Sequence, residues 1–256
     1  MKRGQFLTIP DRSPFRRQSC QPRSHSTQAS RFHSILMRTF LPSVLSLALA
    51  STLFAESSAT FLTTPGAVLA EEHFDQPKIS EPWLVTKGTW QILDGTLEGR
   101  EKAEDKHPGV CSLKVVLPAS FVVNASLRFE GASMTTMVFN GAGHICRVTV
   151  TPAGFSVAAE KEKDSPTDKT VNLGKVAQEF IPGQWYDFTI EITGDEMLVY
   201  TDLKHVAYGR DAKVARAKSA FNVTVYGSSV RYNNIVIRAA ERNSDWTTRK
   251  SKLGLK

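Results

Sequence analysis

The densest group of charged side chains is the run REKAEDKHPG at residues 100–109, which follows an aromatic segment. The run has no apolar periodicity and ends at Pro108-Gly109, so we predict a loop. Carboxylate, ammonium and imidazole groups in one loop can bind ligand hydroxyl groups, and an imidazole titrates near neutral pH. The alternative is a solvated surface, as most charge runs are. The candidate ligand-binding residues are Glu101, Lys102, Asp105 and His107.

A second set of polar side chains lies on strand-like segments. His144 and Arg147 flank Cys146 in HICRVTV. A Cys-His nucleophile pair needs hydrogen-bond contact, but strand residues two apart are about 6–7 Å apart, so this pair is not expected to be catalytic. Planar polar groups on one sheet face suit a glycan groove, and a solvated outer face is the alternative. The residues expected to share that face are Arg128, Arg147, Asn124, Asn222, Thr224 and Tyr226. Arg128, His144 and Arg147 are further candidate ligand-binding residues.

The carboxylates do not show the spacing of a retaining glycosidase, in which one strand carries E-x-D-x-x-E. Asp187 and Glu191 share one face of a predicted strand but lie about 13 Å apart by strand rise, too far for a retaining pair. We expect both to be solvated. Asp75 and Asn233 are candidate ligands of a structural calcium ion, which prefers oxygen donors.

The two cysteines after residue 70, Cys111 and Cys146, both lie in strand-like runs. Two free, buried thiols are slightly favoured over a disulfide, because buried cysteine commonly packs as a small apolar side chain. The sequence has no CxxC motif and no Cys/His zinc spacing.

The elements that must position these residues are predicted to be short strands. Residues 121–129 alternate apolar and mostly polar side chains, and Asp94-Gly95 is a two-residue hairpin turn that places Trp90 in the core. A phase change at Asn233-Asn234 indicates a bulge. Helix signals are nearly absent apart from a short turn within residues 212–220. The pattern predicts an all-β fold, an antiparallel two-sheet sandwich.

Residues 1–70 are predicted to be an N-terminal extension and signal peptide. They carry eight basic and two acidic residues, and the apolar run at residues 40–55 is short for a membrane span. Cleavage is expected after Ala70, in the motif Val68-Leu69-Ala70, with Ala55 as a weaker site and Met37 as the start. A transit peptide and an uncleaved signal anchor are the alternatives.

The remaining chain is predicted to be a sandwich at residues 71–240 and a basic, mostly disordered tail at residues 241–256, where Trp246 could dock. After residue 70 there are 24 basic and 23 acidic residues. This balance lacks the basic surface of a nucleic-acid-binding protein. We therefore expect an exported protein, periplasmic or extracellular, with no nucleic-acid partner and no stable membrane span after cleavage.

A family resemblance rests on Phe74-Asp75, Trp83, Gly88-Thr-Trp90 and Asp94-Gly95-Thr-Leu97, with later matches at residues 181–186 and 230–237. Residues 72–239 resemble the concanavalin A-like jelly-roll domains of bacterial secreted proteins, in particular the 3-keto-disaccharide hydrolase domain and uncharacterised planctomycete-type secreted relatives. The resemblance implies a jelly-roll sandwich with a glycan or glycoside partner. Glycan binding is expected first, hydrolysis of modified (3-keto) glycosides second, and a structural role in the cell envelope third. The chain departs from the family at Asp202-Leu203-Lys204, where an Asp-Gly turn is expected.

Overall fold

The computed structural model describes residues 60–255, and the elements below are those of this part of the chain. It contains fifteen strands, two short 3-10 helices and one α-helix. The strands are β1 (Thr63–Glu72), β2 (Trp83–Lys87), β3 (Thr89–Leu93), β4 (Thr96–Arg100), β5 (Gly109–Leu117), β6 (Ser120–Phe129), β7 (Ala132–Asn140), β8 (His144–Thr151), β9 (Gly154–Ala159), β10 (Val171–Ala177), β11 (Tyr186–Thr193), β12 (Glu196–Tyr200), β13 (Val206–Arg210), β14 (Lys218–Gly227) and β15 (Val230–Arg242). The 3-10 helices are Ala103–Asp105 and Ala212–Ala215, and α1 is Trp246–Lys252.

The strands form two antiparallel sheets. The eight-stranded sheet has the order β13-β12-β11-β6-β15-β4-β3, with β1 also paired to β15. The seven-stranded sheet has the order β10-β9-β8-β7-β14-β5-β2. The predicted all-β, two-sheet jelly-roll sandwich is confirmed, and the short turn expected within residues 212–220 is the second 3-10 helix.

The core between the sheets is built by period-two alternation, in which every second side chain of a strand points inward. In β6 the inward side chains are Phe121, Val123, Ala125, Leu127 and Phe129, all buried. Trp90 is 8 % exposed, as predicted. Its ring lies against Gly99, where an added Cβ would come within 2.4 Å of the indole.

Two local backbone predictions are confirmed. Asp94 and Gly95 have φ angles of 52° and 67°, the positive values that a type I′ hairpin turn requires. The register of β15 shifts between Asn233 and Val236, and Asn234 has a φ of 48°. Strand β6 pairs with β15 on both sides of this bulge, whereas the other neighbour of β15 changes there. Strand β4 pairs with β15 up to Tyr232, and β1 pairs with it from Ile235 onward.

The N-terminal boundary differs from the one expected at residue 71. Strand β1 starts at Thr63 and pairs along β15 as far as Arg242, so the sandwich includes residues assigned to the leader. Pro65 pairs with Ala240 and Val68 pairs with Arg238, with a register shift between Pro65 and Val68. Ala70 lies inside β1. Met37 and the apolar run at residues 40–55 lie outside the described residues.

The C-terminal segment is ordered through residue 255, in contrast to the disordered tail expected. Strand β15 extends to Arg242, and α1 docks through Trp246, which is 2 % exposed. Trp246 packs in a second apolar cluster with Leu62, Leu198 and Tyr200. Leu253 and Leu255 pack against the same cluster, and Arg249 donates a hydrogen bond to Thr60 O at 2.7 Å, so apolar and polar contacts together hold this basic segment. None of the helices in residues 60–255 has the length and apolar character needed to cross a membrane.

The two cysteines are free and buried, which confirms the favoured prediction. Burial raises the pKa of each thiol to about 12. Burial therefore disfavours the thiolate, which is the nucleophilic form, at both cysteines.

Candidate functional site

The outer face of the eight-stranded sheet presents polar side chains in rows that cross β11, β6 and β15. Each row follows from the strand register, because residues opposite each other on one face are neighbours. From one end of the face to the other, the rows are Trp185–Arg128–Arg231, Asp187–Ser126–Asn233, Thr189–Asn124–Val236 and Glu191–Val122–Arg238.

One end of this face is covered by the start of the described chain. Glu191 is 0 % exposed and Val122 is 1 % exposed. The Glu191 carboxylate accepts hydrogen bonds from the backbone N–H groups of Phe61 (2.8 Å) and Thr63 (2.6 Å), the Thr63 hydroxyl (2.7 Å) and the Tyr200 hydroxyl (3.0 Å). The expectation that Glu191 is solvated is wrong, because residues 60–63 lie over it.

Beyond the covered end lies a cavity of about 320 Å³, which we call the sheet groove. Its floor comes from β6, β11 and β15, and its sides come from β1 and the residues flanking it. Asp187, expected to be a solvated strand carboxylate, is exposed in it. The lining residues are Thr60, Pro65, Glu71, His73, Asn124, Ala125, Ser126, Asp187, Phe188, Thr189, Asn234, Val236 and Arg238.

Several polar groups of the sheet groove are held by hydrogen bonds within it. Asn124 Nδ2 donates to Thr189 Oγ1 at 3.0 Å, and the Ser126 hydroxyl donates to Asp187 Oδ1. His73 contacts Asn234 Oδ1 through Nδ1 at 3.0 Å and Glu71 Oε1 through Nε2 at 3.1 Å. These acceptors, Asn234 first, raise the pKa of His73 above its ordinary value.

Two charged groups of the sheet groove keep hydrogen-bonding capacity. Among the described residues, Asp187 Oδ2 has no hydrogen-bond partner, since Ser126 uses only Oδ1. The Arg238 guanidinium makes no hydrogen bond or ion pair within residues 60–255, although the side chain is half-buried. A carboxylate oxygen and a guanidinium are strong acceptor and donor groups for a polar ligand.

Arg128, predicted from sequence, lies on this outer face at the open end, beyond the lining residues. Its guanidinium stacks over the Trp185 ring at 5.0 Å from the centroid, and its Nε is 2.6 Å from Glu130 Oε1. Trp185 is half-buried and lies two residues before Asp187, so it places an aromatic surface next to the groove mouth.

The polar face expected from sequence is divided between the two sheets. Arg128 and Asn124 belong to β6 of the eight-stranded sheet, whereas the other expected members belong to β8 and β14 of the seven-stranded sheet. The expectation of one shared face is therefore wrong, since alternation gives the face of a strand but not its sheet. The residues on the seven-stranded sheet are Arg147, Asn222, Thr224 and Tyr226.

His144 and Arg147 use polar partners on their own sheet. His144 is exposed and its Nδ1 lies 2.6 Å from Asn140 Oδ1. Arg147 Nε lies 3.1 Å from the buried Glu160 carboxylate. Cys146 packs in the core, and the register shift between Phe139 and Asn140 separates it from the exposed histidine.

The charged loop uses its acidic side chains to hold its own shape. Asp105 Oδ2 accepts the Gly88 N–H at 2.6 Å, and Glu101 Oε2 accepts the Gly227 N–H at 2.7 Å. His107 Nδ1 is 2.8 Å from Pro108 O, and both Lys102 and His107 are exposed. Binding by this loop remains a prediction, and none of its residues lines the sheet groove.

A calcium site at Asp75 and Asn233 stays a prediction. Within residues 60–255, no group of three or more His, Cys, Asp or Glu side chains could hold a metal ion. Asn233 Oδ1 accepts the N–H of Asn234 at 2.8 Å, so it serves the bulge. Asp75 is exposed in the segment after β1.

No family model and no curated protein matches the chain, so the resemblance to the 3-keto-disaccharide hydrolase family is not confirmed.

Solved structures share the fold at low identity. Domain 4 of AbnA, an extracellular arabinanase of Geobacillus stearothermophilus in complex with arabinotriose, has a TM-score of 0.52 at 14% identity over 72% of this chain and 98% of that one. The carbohydrate binding module CBM66 of Bacillus subtilis has a TM-score of 0.50 at 12% identity over 64% of this chain and 100% of that one. A Bacillus subtilis protein of unknown function with a galectin-like fold has a TM-score of 0.51 at 10% identity over 71% of this chain and 100% of that one. At these identities the likeness shows the jelly-roll fold.

Proposed function

We propose that the protein binds a glycan in the sheet groove. The observation that carries the proposal is the pair of charged groups, Asp187 and Arg238, that line one cavity and have bonding capacity left within the described chain. Sugar hydroxyl groups donate and accept hydrogen bonds, so they can satisfy both. The volume of about 320 Å³ is at the lower end of the range for small-molecule sites, roughly 300–1,000 Å³.

The other polar residues that line the groove also suit a sugar, because they can form hydrogen bonds with its hydroxyl groups. Asn124, His73 and Asn234 are planar polar groups already oriented by hydrogen bonds, so little side-chain entropy is lost when a ligand binds. The fold is shared with a carbohydrate binding module and with a domain solved in complex with arabinotriose, which supports this class of ligand.

The test compares the two candidate surfaces directly. A glycan array with the chain starting at residue 56 identifies a ligand, and calorimetry then measures its affinity for Asp187→Ala, His73→Ala, Lys102→Ala and His107→Ala. We expect the two groove variants to bind at least about tenfold more weakly, a loss of ~1.4 kcal/mol, with thermal midpoints nearly unchanged. The two loop variants should bind as the unsubstituted protein does.

The opposite pattern, weakened binding in the loop variants alone, would move the site to the charged loop. Binding to no glycan of a broad array would end the proposal. The same samples, assayed for release of sugar from 3-keto glycosides, test the hydrolase hypothesis. Turnover that is lost in Asp187→Ala would replace simple binding by catalysis in the same groove.

A further inference from the structure

We infer that the sheet groove takes the acidic end of a glycan, a terminal sugar whose carboxylate pairs with Arg238. The inference rests on the proposed function and adds the substrate class and the direction in which the glycan lies. Three observations carry it. The groove is closed at one end, and the Arg238 guanidinium, which has no partner within the described residues, lies at that end. The carboxylates of this face either form hydrogen bonds with other groups or lie far from Arg238.

The closed end follows from burial along the rows of the outer face. Asp187 is exposed, Thr189 two residues further along β11 is 6 % exposed, and Glu191 after it is 0 % exposed. Thr60 and Pro65 line the groove at this end, and the two N–H groups donated to Glu191 anchor residues 61 and 63. A glycan that enters at the Trp185 end therefore meets a wall, so its terminal sugar occupies the inner end.

Arg238 stands at the closed end. It pairs with Val122 in the register of β15 and β6, which makes it the diagonal neighbour of Asn124, about 7–8 Å away. The guanidinium has no hydrogen bond or ion pair inside the described part of the chain, whereas Arg231 on the same strand contacts both Asp94 and Glu130. A half-buried guanidinium is best satisfied by a planar anion that accepts two parallel hydrogen bonds, and a sugar carboxylate is such an anion.

The acidic residues of this face do not compete for the guanidinium. Both oxygens of Glu191 accept hydrogen bonds under residues 61–63, and Glu71 is bonded to His73. Asp187 lies four residues from Glu191 along β11, about 13 Å by strand rise, toward the open end. An acidic sugar can therefore place its carboxylate on Arg238 while the hydroxyl groups of the next ring reach Asp187.

The experiment uses oligosaccharides that end in a uronic acid, each paired with its carboxyl-reduced neutral form. Calorimetry should show that the acidic form binds about tenfold or more tightly than the neutral form. Arg238→Gln should remove this preference, so that the variant binds the acidic and the neutral form with equal affinity. Lys114→Gln removes one exposed cation from β5 of the other sheet and should keep the preference, which controls for net charge. Arg238→Lys should retain part of the preference, since it keeps the charge without the two parallel donors.

The outcomes separate the two proposals. Equal affinity for the acidic and neutral forms would overturn the acidic-end inference and leave glycan binding in the groove standing. Equal affinity for an internal and a terminal uronic acid would overturn the closed-end argument. A preference that persists in folded Arg238→Gln, judged by an unchanged thermal midpoint, would also overturn the inference. Absence of binding to any glycan of the array would instead end the proposed function.

Discussion

Two buried glutamates on the same sheet show how local partners decide the state of a carboxyl group. Burial dominates at Glu191 and raises its pKa above the ordinary 4.5, despite four donors. Burial would also raise the pKa of Glu196, but the hydrogen bond from Arg242, with those from Tyr208 and Trp246, outweighs it and lowers the pKa. The difference is a cationic partner, since Arg242 forms an ion pair with Glu196 and the donors to Glu191 are neutral.

These opposite shifts predict opposite pH dependences of stability. A raised pKa in the folded state favours folding below the unfolded value, and the advantage is lost as the pH rises through the folded value. The stability of the unsubstituted protein relative to Glu191→Gln should therefore fall as the pH rises above about 4.5. Relative to Glu196→Gln, the stability of the unsubstituted protein should instead fall as the pH drops below about 4.5. A carboxyl group whose pKa is lowered in the folded state stabilises the fold only while it is ionised.

The measurement is urea unfolding of the unsubstituted protein and the two variants at pH values below and above 4.5. The pair of variants is its own control, since both replace a buried glutamate by its neutral isostere. Parallel pH profiles for the two variants would contradict the assignment of a neutral environment to Glu191 and a cationic one to Glu196.

Trp90 is the aromatic side chain for which the sequence interpretation and the structure agree most directly. It is 8 % exposed, its ring covers Gly99, and its Nε1 donates to Lys87 O at 3.0 Å. Trp90→Ala should lower the free energy of unfolding by roughly 3–5 kcal/mol, because it leaves a large cavity. Trp185→Ala, at a half-buried surface position, should cost much less. A loss of only a few tenths of a kcal/mol in a denaturant melt of Trp90→Ala would contradict the buried assignment.

At the scale of single residues, the sequence predicts the properties of a side chain that depend on its neighbours in the same strand, such as the face on which it lies. The Asp94-Gly95 hairpin turn placed Trp90 in the core, and their strand-like runs placed the two cysteines there. Strand alternation placed Glu191 on an outer face, which is correct, but the cover over that face comes from residues 60–63. A contact between residues about 130 positions apart leaves no local signal. His73 and Arg238 were missed for the same reason.

At the scale of elements, hairpins were predictable and the chain ends were not. The β3–β4 hairpin carries its turn signal, Asp94-Gly95, in the sequence, and β8 (His144–Thr151) contains the strand-like run HICRVTV. Strand β1 contains Pro65 and Gly66, which are uncommon inside strands, and it pairs with the last strand of the sandwich. Helix α1 is short and basic, and its place depends on Trp246 meeting Leu62.

Because the two chain ends pack on one another, removal of β1 should destabilise the domain. A chain that begins at Glu71 loses Leu62 and Thr63, both fully buried, and leaves the Glu191 carboxylate without three of its donors. We expect its free energy of unfolding to be at least ~3 kcal/mol below that of a chain that begins at Glu56, as for other losses of buried groups. Urea melts of the two purified chains measure the difference, and equal midpoints would show that β1 adds no stability.

At the scale of the whole molecule, the site is assembled from distant segments. The sheet groove takes side chains from β1, the turn after it, β6, β11 and β15, so no short motif could reveal it. The sequence did predict the sandwich, the polar character of Asn124 and the position of Asp187 on an outward face. It could not predict which outward residues share a sheet, since that depends on the order of strands.

The same non-local packing bears on processing of the leader, for which we propose export with cleavage after Ala55. Cleavage after Ala70, the site favoured by sequence, removes eight of the ten residues of β1 (Thr63–Glu72). Cleavage after Ala55, the alternative site, keeps all of β1 and the contacts of residues 60–63 with Glu191. N-terminal sequencing of the exported protein should therefore find Glu56. A stable exported protein that begins at Glu71 would contradict the choice of site, and an intact leader on a cytosolic protein would contradict export itself.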